Sequence, residues 1–152
     1  MANWKQLERE LSSWLKGYAV PPLEYRGPCQ SITGFPSDGF RSDGMLTDGK
    51  VLLALEVEAG QKHPDTNVGK YWLLGRYQTF KKIVLFHIYT PDFNSYGWRK
   101  TLGEFYAEKM KSEIPFEYVP LDYRDREAID YDSTLKAIQA QVAIRIKSEF
   151  SS

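Results

Sequence analysis

The chain predicts an α/β fold, a mixed β-sheet flanked by helices, on three observations. An amphipathic stripe at helical spacing opens the chain. Two strand-like runs then meet at Asp48-Gly49, and beyond residue 60 helical patterns alternate with apolar runs of strand length. Such alternation places helices against the faces of a sheet. At 152 residues and 42% hydrophobic, the chain can bury a sizeable core as one domain spanning 1–152.

The first helix is read from Trp4, Leu7, Leu11, Trp14, Leu15 and Tyr18, an apolar stripe flanked by Glu8 and Glu10. Pro21-Pro22 ends it, because proline lacks the amide a helix needs. Residues 23–40 carry Gly27, Pro28, Gly34, Pro36 and Gly39, which predict an irregular approach with one short strand over 30–33. A hairpin follows. With Asp48-Gly49 as a two-residue turn, Thr47 faces Lys50 and Asp43 faces Ala54. Alternation then puts Asp43, Ala54, Glu56 and Glu58 on one face, expected to carry acid, and Leu53, Leu55 and Val57 on the other, expected to be core.

Pro64 suits the first turn of a helix running through Val68, Tyr71, Trp72, Leu73 and Leu74 to Tyr77. Residues 82–89 form a continuous apolar run, the signature of a central strand covered on both faces. His87 within it reads as a satisfied core histidine. A helix over 98–112 is expected to turn Leu102, Phe105, Tyr106 and Met110 inward. Residues 116–121 form a poorer strand, which Pro120 assigns to an edge. Asp132 or Ser133 is expected to cap the last helix, whose stripe is Leu135, Ile138, Val142 and Ile146.

The chemistry concentrates on the hairpin. Three carboxylates on one face repel one another, and in a partly desolvated cleft at least one stays protonated unless a cation is present. Hard oxygen donors on a rigid strand pair suit Mg²⁺ or Mn²⁺. The competing reading is that Glu56 and Glu58 line the wet face of an edge hairpin. The residue pattern alone leaves both open.

Other chemistries find less support. Cys29 is the one cysteine, so no internal disulfide forms, and with only His63 and His87 a structural zinc site is not expected. There is no Gly-rich phosphate loop and no nucleophile elbow. A net charge of zero means that a nucleic-acid partner would be held by a local patch, for which Arg76, Lys81, Lys82, Arg99 and Lys100 are candidates. The first 14 residues lack the apolar segment of a signal peptide or membrane span, so a cytoplasmic protein without a membrane partner is expected.

Asp43, twelve intervening residues, then Glu56-x-Glu58 ending an apolar strand just before a helix, resembles the PD-(D/E)xK nuclease superfamily. The resemblance implies a restriction-endonuclease-like αβββαβ core and a Mg²⁺- (or Mn²⁺-) dependent endodeoxyribonuclease. DNA is the implied partner, and a homodimer is left open. Asp43, Glu56 and the Val57 carbonyl would hold the metal. Glu58 stands where the family usually has lysine, a departure also found in some type II restriction enzymes of this fold. It would ligate a second ion or accept the proton of the attacking water. Lys70, on the following helix, is the first candidate for the missing positive charge and Lys62 the second. Gln61, Lys62 and His63 would meet the substrate, although His63 before Pro64 also reads as a helix-entry residue. Glu10 is a candidate outer carboxylate. A non-catalytic nucleic-acid or protein binding module on a degenerate nuclease fold is the alternative.

Overall fold

In the computed structural model, which describes residues 3–27, 29–30, 39–60, 62–94, 97–124 and 130–151, the two longest apolar runs pair in parallel at the centre of a sheet. In chain order the elements are α1 (Lys5–Lys16), β1 (Glu24–Arg26), β2 (Cys29–Gln30), β3 (Phe40–Arg41), β4 (Gly44–Thr47), β5 (Val51–Glu58), α2 (Pro64–Tyr77), β6 (Lys82–Tyr89), α3 (Gly97–Met110), β7 (Phe116–Asp122) and α4 (Tyr131–Phe150). The main sheet has the order β1-β4-β5-β6-β7. β1, β4 and β5 form an antiparallel meander, and β6 and β7 continue it in parallel. β2 and β3 make a separate two-stranded ribbon. Of the expected short strand at 30–33, Gln30 lies in β2 and the remainder lies outside the described residues.

Helices cover both faces, which makes an α/β fold with a mixed open sheet between two helical layers. On one side Leu7, Leu11 and Leu15 of α1 and Ile138, Val142 and Ile146 of α4 pack on Leu53, Leu55, Val57, Val84 and Phe86. On the other, Val68, Tyr71 and Leu74 of α2 and Ala107 and Met110 of α3 pack on Met45, Leu52, Ala54, Ile83 and Leu85. The face expected to carry acid is therefore also core, and the competing reading of a wet edge hairpin fails. β5 is an interior strand, and Glu56 and Glu58 are only 2% and 0% exposed. α2 and α3 approach closely because Gly103 has no side chain, whose Cβ would meet the Pro64 carbonyl at 3.3 Å.

Three local expectations are corrected. Thr47 pairs with Leu52 and Gly44 with Leu55, so the next step outward sets Asp43 beside Glu56 rather than Ala54. The turn is wider than two residues because Asp48 Oδ1 accepts from the amides of both Lys50 and Val51, and Thr47 Oγ1 accepts from Gly49 N. The shift is by two residues, so every side chain keeps its face. Asp130 caps α4, accepting from Ser133 N at 2.7 Å, in place of Asp132 or Ser133. Phe105 is 53% exposed rather than inward, because Gly103 and Ala107 are the small residues that α3 turns to the core.

No helix among the described residues is long and apolar enough to cross a membrane.

Candidate active site

Where β4 begins and β5 ends, the sheet margin is reached from both helical layers. A cleft of about 180 Å³ opens there, lined by Glu8 of α1, Arg41, Asp43, Glu56, and Asn67 and Lys70 of α2, with Ser42, Val57 and Lys62 completing it. Asp43 lies just before β4, and its Oδ2 accepts from Val57 N at 2.7 Å. That bond continues the strand ladder with a side chain and holds the Asp43 carboxyl against the end of β5.

Glu56 is approached by two groups. Lys70 Nζ lies 2.9 Å from its Oε2, and Tyr71 Oη donates to the same oxygen at 2.6 Å while lying 2.9 Å from Ser42 Oγ. Lys70 is further held by Asn67 Oδ1, which accepts from it at 3.2 Å, and sits over the rings of Phe40 and Tyr71 at 5.7 and 5.6 Å. Asn67, Lys70, Tyr71 and Leu74 recur at three- and four-residue steps, the spacing that brings them to one side of α2.

Burial governs the charge of this cluster. Desolvation, then the neighbouring Glu56, then the hydrogen bond that protonated Asp43 donates to Glu8, raise the Asp43 carboxyl to about 9. Desolvation raises Glu56 to about 7 even though Lys70 and Tyr71 pull it down. The Tyr71 hydroxyl is pushed well above its ordinary value by burial and by Glu56. Near neutrality the metal-free cluster thus holds protons that ordinary carboxyls have lost.

Glu58 lies elsewhere. Its Oε1 accepts from Asn67 Nδ2 and lies 3.3 Å from His87 Nε2. His87 Nδ1 is 2.7 Å from Tyr118 Oη and 3.1 Å from Tyr89 Oη. A carboxylate accepts, which assigns the histidine proton to Nε2 and leaves Nδ1 to accept from a tyrosine. Burial lowers the His87 pKa, favouring the neutral ring. Glu58 Oε2 is buried with no hydrogen-bond partner among the described residues.

Of the residues singled out in the sequence, Asp43, Glu56, Val57, Lys62 and Lys70 line the cleft and Glu58 is sealed behind it. His63 is the exposed N-cap residue of α2 and makes no side-chain cap bond. Gln61 lies outside the described residues. Glu10 is drawn to Tyr131 instead, and Glu8 is the helix carboxyl that reaches Asp43. The signal was shared: Glu8 stands at helical spacing with Trp4, Leu11 and Leu15, and Glu10 with Leu7 and Trp14, so both border the stripe and the choice between them depends on where α1 meets β4. Ser42, Asn67 and Tyr71 had no such signal, since their roles depend on pairing across elements. The basic residues expected to form one surface are mostly ion-paired: Arg76 with Glu113, Lys82 with Glu117 and Glu149, Arg99 with Asp65, and Lys100 with Glu104.

The donor set is suited to a hard cation. Asp43, Glu56 and the backbone offer oxygen alone, and Lys70 and Tyr71 both engage the same oxygen of Glu56. Among the described residues no three His, Cys, Asp or Glu side chains converge as a ligand group. A hard ion such as Mg²⁺, which takes one or two carboxylates and fills its shell with water, carbonyl and phosphate oxygens, does not require such a group. No protein-family model, curated protein or solved structure matches the chain.

Proposed function

We propose that the protein is a divalent-metal-dependent nuclease that hydrolyses phosphodiester bonds in DNA. The observation that carries this reading is the α2 ammonium at a cleft of adjacent acids, with Lys70 Nζ 2.9 Å from Glu56 Oε2. A strand lysine is absent because Glu58 takes its place, yet a cation reaches the same acid from the neighbouring helix.

Asp43, Glu56 and the Val57 carbonyl would hold Mg²⁺ or Mn²⁺, which when bound would polarise the scissile phosphate and acidify a water. The remaining steps belong to the chain. Asp43 and Glu56 give up their protons as the cation arrives, which links metal affinity to pH. Lys70, released from part of its pairing with Glu56, turns its ammonium to the phosphate oxygens, where negative charge grows in the transition state. Tyr71 keeps Glu56 in place through Oε2, so the acid does not follow Lys70. Glu58, sealed against His87 and Asn67, orients Asn67 and through it Lys70, and so acts as a positioning residue in place of a second-metal ligand.

The test is incubation of the purified protein with plasmid, linear duplex and single-stranded DNA in Mg²⁺, Mn²⁺ and EDTA. Cleavage in either metal and none in EDTA is expected. Intact DNA of every form in both metals would overturn the enzyme reading. The second reading, a binding module, draws on the same ion pair, since a Lys70–Glu56 contact neutralises the acid without any metal. On that reading Lys70→Met weakens DNA binding and no variant affects cleavage, because there is none.

A further inference from the structure

A second cleft, of about 430 Å³, meets the first at Glu8 and Asp43 and runs along α1 past Arg9, Ser12, Lys16 and Tyr25. The two clefts share those residues and so adjoin at the acids. Arg9, Ser12 and Lys16 stand at i, i+3 and i+7 on one side of α1, while Leu7, Leu11 and Leu15 are buried in the core. Arg9 and Lys16 are exposed, and neither forms an ion pair among the described residues; in the adjoining cleft exposed Arg41 and half-buried Lys62 form none there either. This contrasts with Arg76, Lys82, Arg99 and Lys100, each of which faces a carboxylate. Cations left unpaired along a groove that carries acids only at one point are available to an anionic ligand.

The groove has the chemistry of a polynucleotide track. Guanidinium, ammonium and hydroxyl groups are the usual phosphate contacts. Half-buried Tyr25 brings a ring to the wall, oriented by the hydrogen bond between its Oη and Ser12 Oγ, and an aromatic ring is a sequence-tolerant surface for a base. Seven residues of helix carry Arg9 and Lys16 about 10.5 Å apart. At a rise of about 3.4 Å per nucleotide, that span covers about three nucleotides of one strand.

We propose that the groove along α1 holds the strand being cut on one side of the scissile phosphate, with Arg9 and Lys16 on its backbone and Tyr25 against a base. This rests on the nuclease reading for the identity of the acids at the junction. It assigns substrate contacts to α1, where the sequence pointed to the loop after β5 and to a patch of Arg76, Lys81, Lys82, Arg99 and Lys100.

The test reads binding and cleavage separately. Anisotropy of a short fluorescein-labelled DNA oligonucleotide, single-stranded and duplex, is measured across about 50 to 200 mM salt. The proteins carry Asp43→Asn to prevent turnover and compare Arg9→Ala/Lys16→Ala with Lys136→Ala/Lys147→Ala, a pair of exposed lysines on α4. Loss of two phosphate contacts lowers the log-affinity versus log-salt slope by about 1.4 for a single strand and about 1.8 for duplex. The α4 pair leaves it unchanged. An equal slope in the α1 variant and its parent overturns the groove and leaves the nuclease reading to stand on cleavage. A reduced slope in a protein whose Asp43-bearing parent never cleaves supports the groove and overturns the nuclease reading. Equal affinity for a labelled polyglutamate peptide in place of DNA would overturn the nucleic-acid assignment.

Discussion

Glu56 and Glu58 are two residues apart on β5, face the same way and are both withdrawn from solvent, yet they occupy opposite kinds of site. Glu56 meets Lys70 and Tyr71 at the floor of an open cleft, beside Asp43. Glu58 meets Asn67 and His87, backed by Tyr118 and Tyr89, and lines no part of that cleft. A step of two residues is only about 6.6 Å along a strand. The difference comes from what stands in front. At Glu56 the ribbon and α1 leave a gap, whereas at Glu58 the ends of α2 and β6 close over the side chain. An alternating pair of acids thus specifies a face, and the elements packed on that face decide which acid can react.

The largest effect that would sharpen this contrast is on turnover. Asp43→Asn, Glu56→Gln and Lys70→Met should each lower single-turnover DNA cleavage by about 10²- to 10³-fold, the usual loss when a group aimed at developing charge is removed. Glu58→Gln should cost less than about tenfold, because it acts only through the orientation of Asn67 and Lys70. Equal losses at 56 and 58 would break the comparison and return Glu58 to the reacting centre.

Metal binding gives the next effect. At about 100 times its dissociation constant, Mg²⁺ or Mn²⁺ should stabilise the wild type by about 2.7 kcal/mol, seen as a rise in Tm. Asp43→Asn/Glu56→Gln should lose that rise and Glu58→Gln should keep it. A metal response that survives the double variant would place the ion elsewhere.

Stability should reverse the ranking. Glu58→Ala leaves the His87 and Asn67 donors without their buried acceptor, at a cost of about 1 to 3 kcal/mol in urea unfolding. Asp43→Asn in the metal-free protein should cost less, since near neutrality it replaces an already protonated carboxyl with an amide of the same shape. If Glu58→Ala unfolds at the wild-type urea midpoint with unchanged slope, the sealed cluster contributes nothing to the fold.

How much of this was legible in the sequence follows the same division. Local signals were sufficient for α2 and β6, whose bounds the apolar runs and Pro64 marked out, and for β7 at the edge with Pro120. They were sufficient for the shared face of Asp43, Glu56 and Glu58, because parity survives a register shift of two. They were insufficient for depth. Whether a strand face is wet depends on a helix placed there by the rest of the chain, so Glu56 and Glu58 gave no local sign of their different surroundings. The Asp48 side chain widened the turn by competing for backbone amides, a choice that Asp-Gly alone does not specify. Ion pairing was also illegible, since Lys82 meets Glu149 across 67 residues of sequence.

The effect most specific to the open site is the pH dependence of stability in the metal-free protein. Asp43 is raised from 3.8 to about 9 and Glu56 from 4.5 to about 7, so in the intervening range the folded protein holds protons that the unfolded chain has released. The stability these carboxyls contribute is fully present below their ordinary values and is lost as pH rises toward the folded ones. Each proton contributes a slope of at most about 1.4 kcal/mol per pH unit, and solvent reaching Asp43 at the cleft reduces it. In EDTA, unfolding free energy should therefore fall between pH 5 and pH 8 more steeply in the wild type than in Asp43→Asn/Glu56→Gln. With saturating Mg²⁺ the wild-type decline should flatten or reverse, because the cation binds the deprotonated pair and its affinity rises as protons leave. Glu58→Gln serves as the control and should retain the wild-type slope. Identical pH profiles for the wild type and the double variant in EDTA would mean that Asp43 and Glu56 ionise as ordinary carboxyls, and the contrast between the open and the sealed acid would then lie in geometry alone.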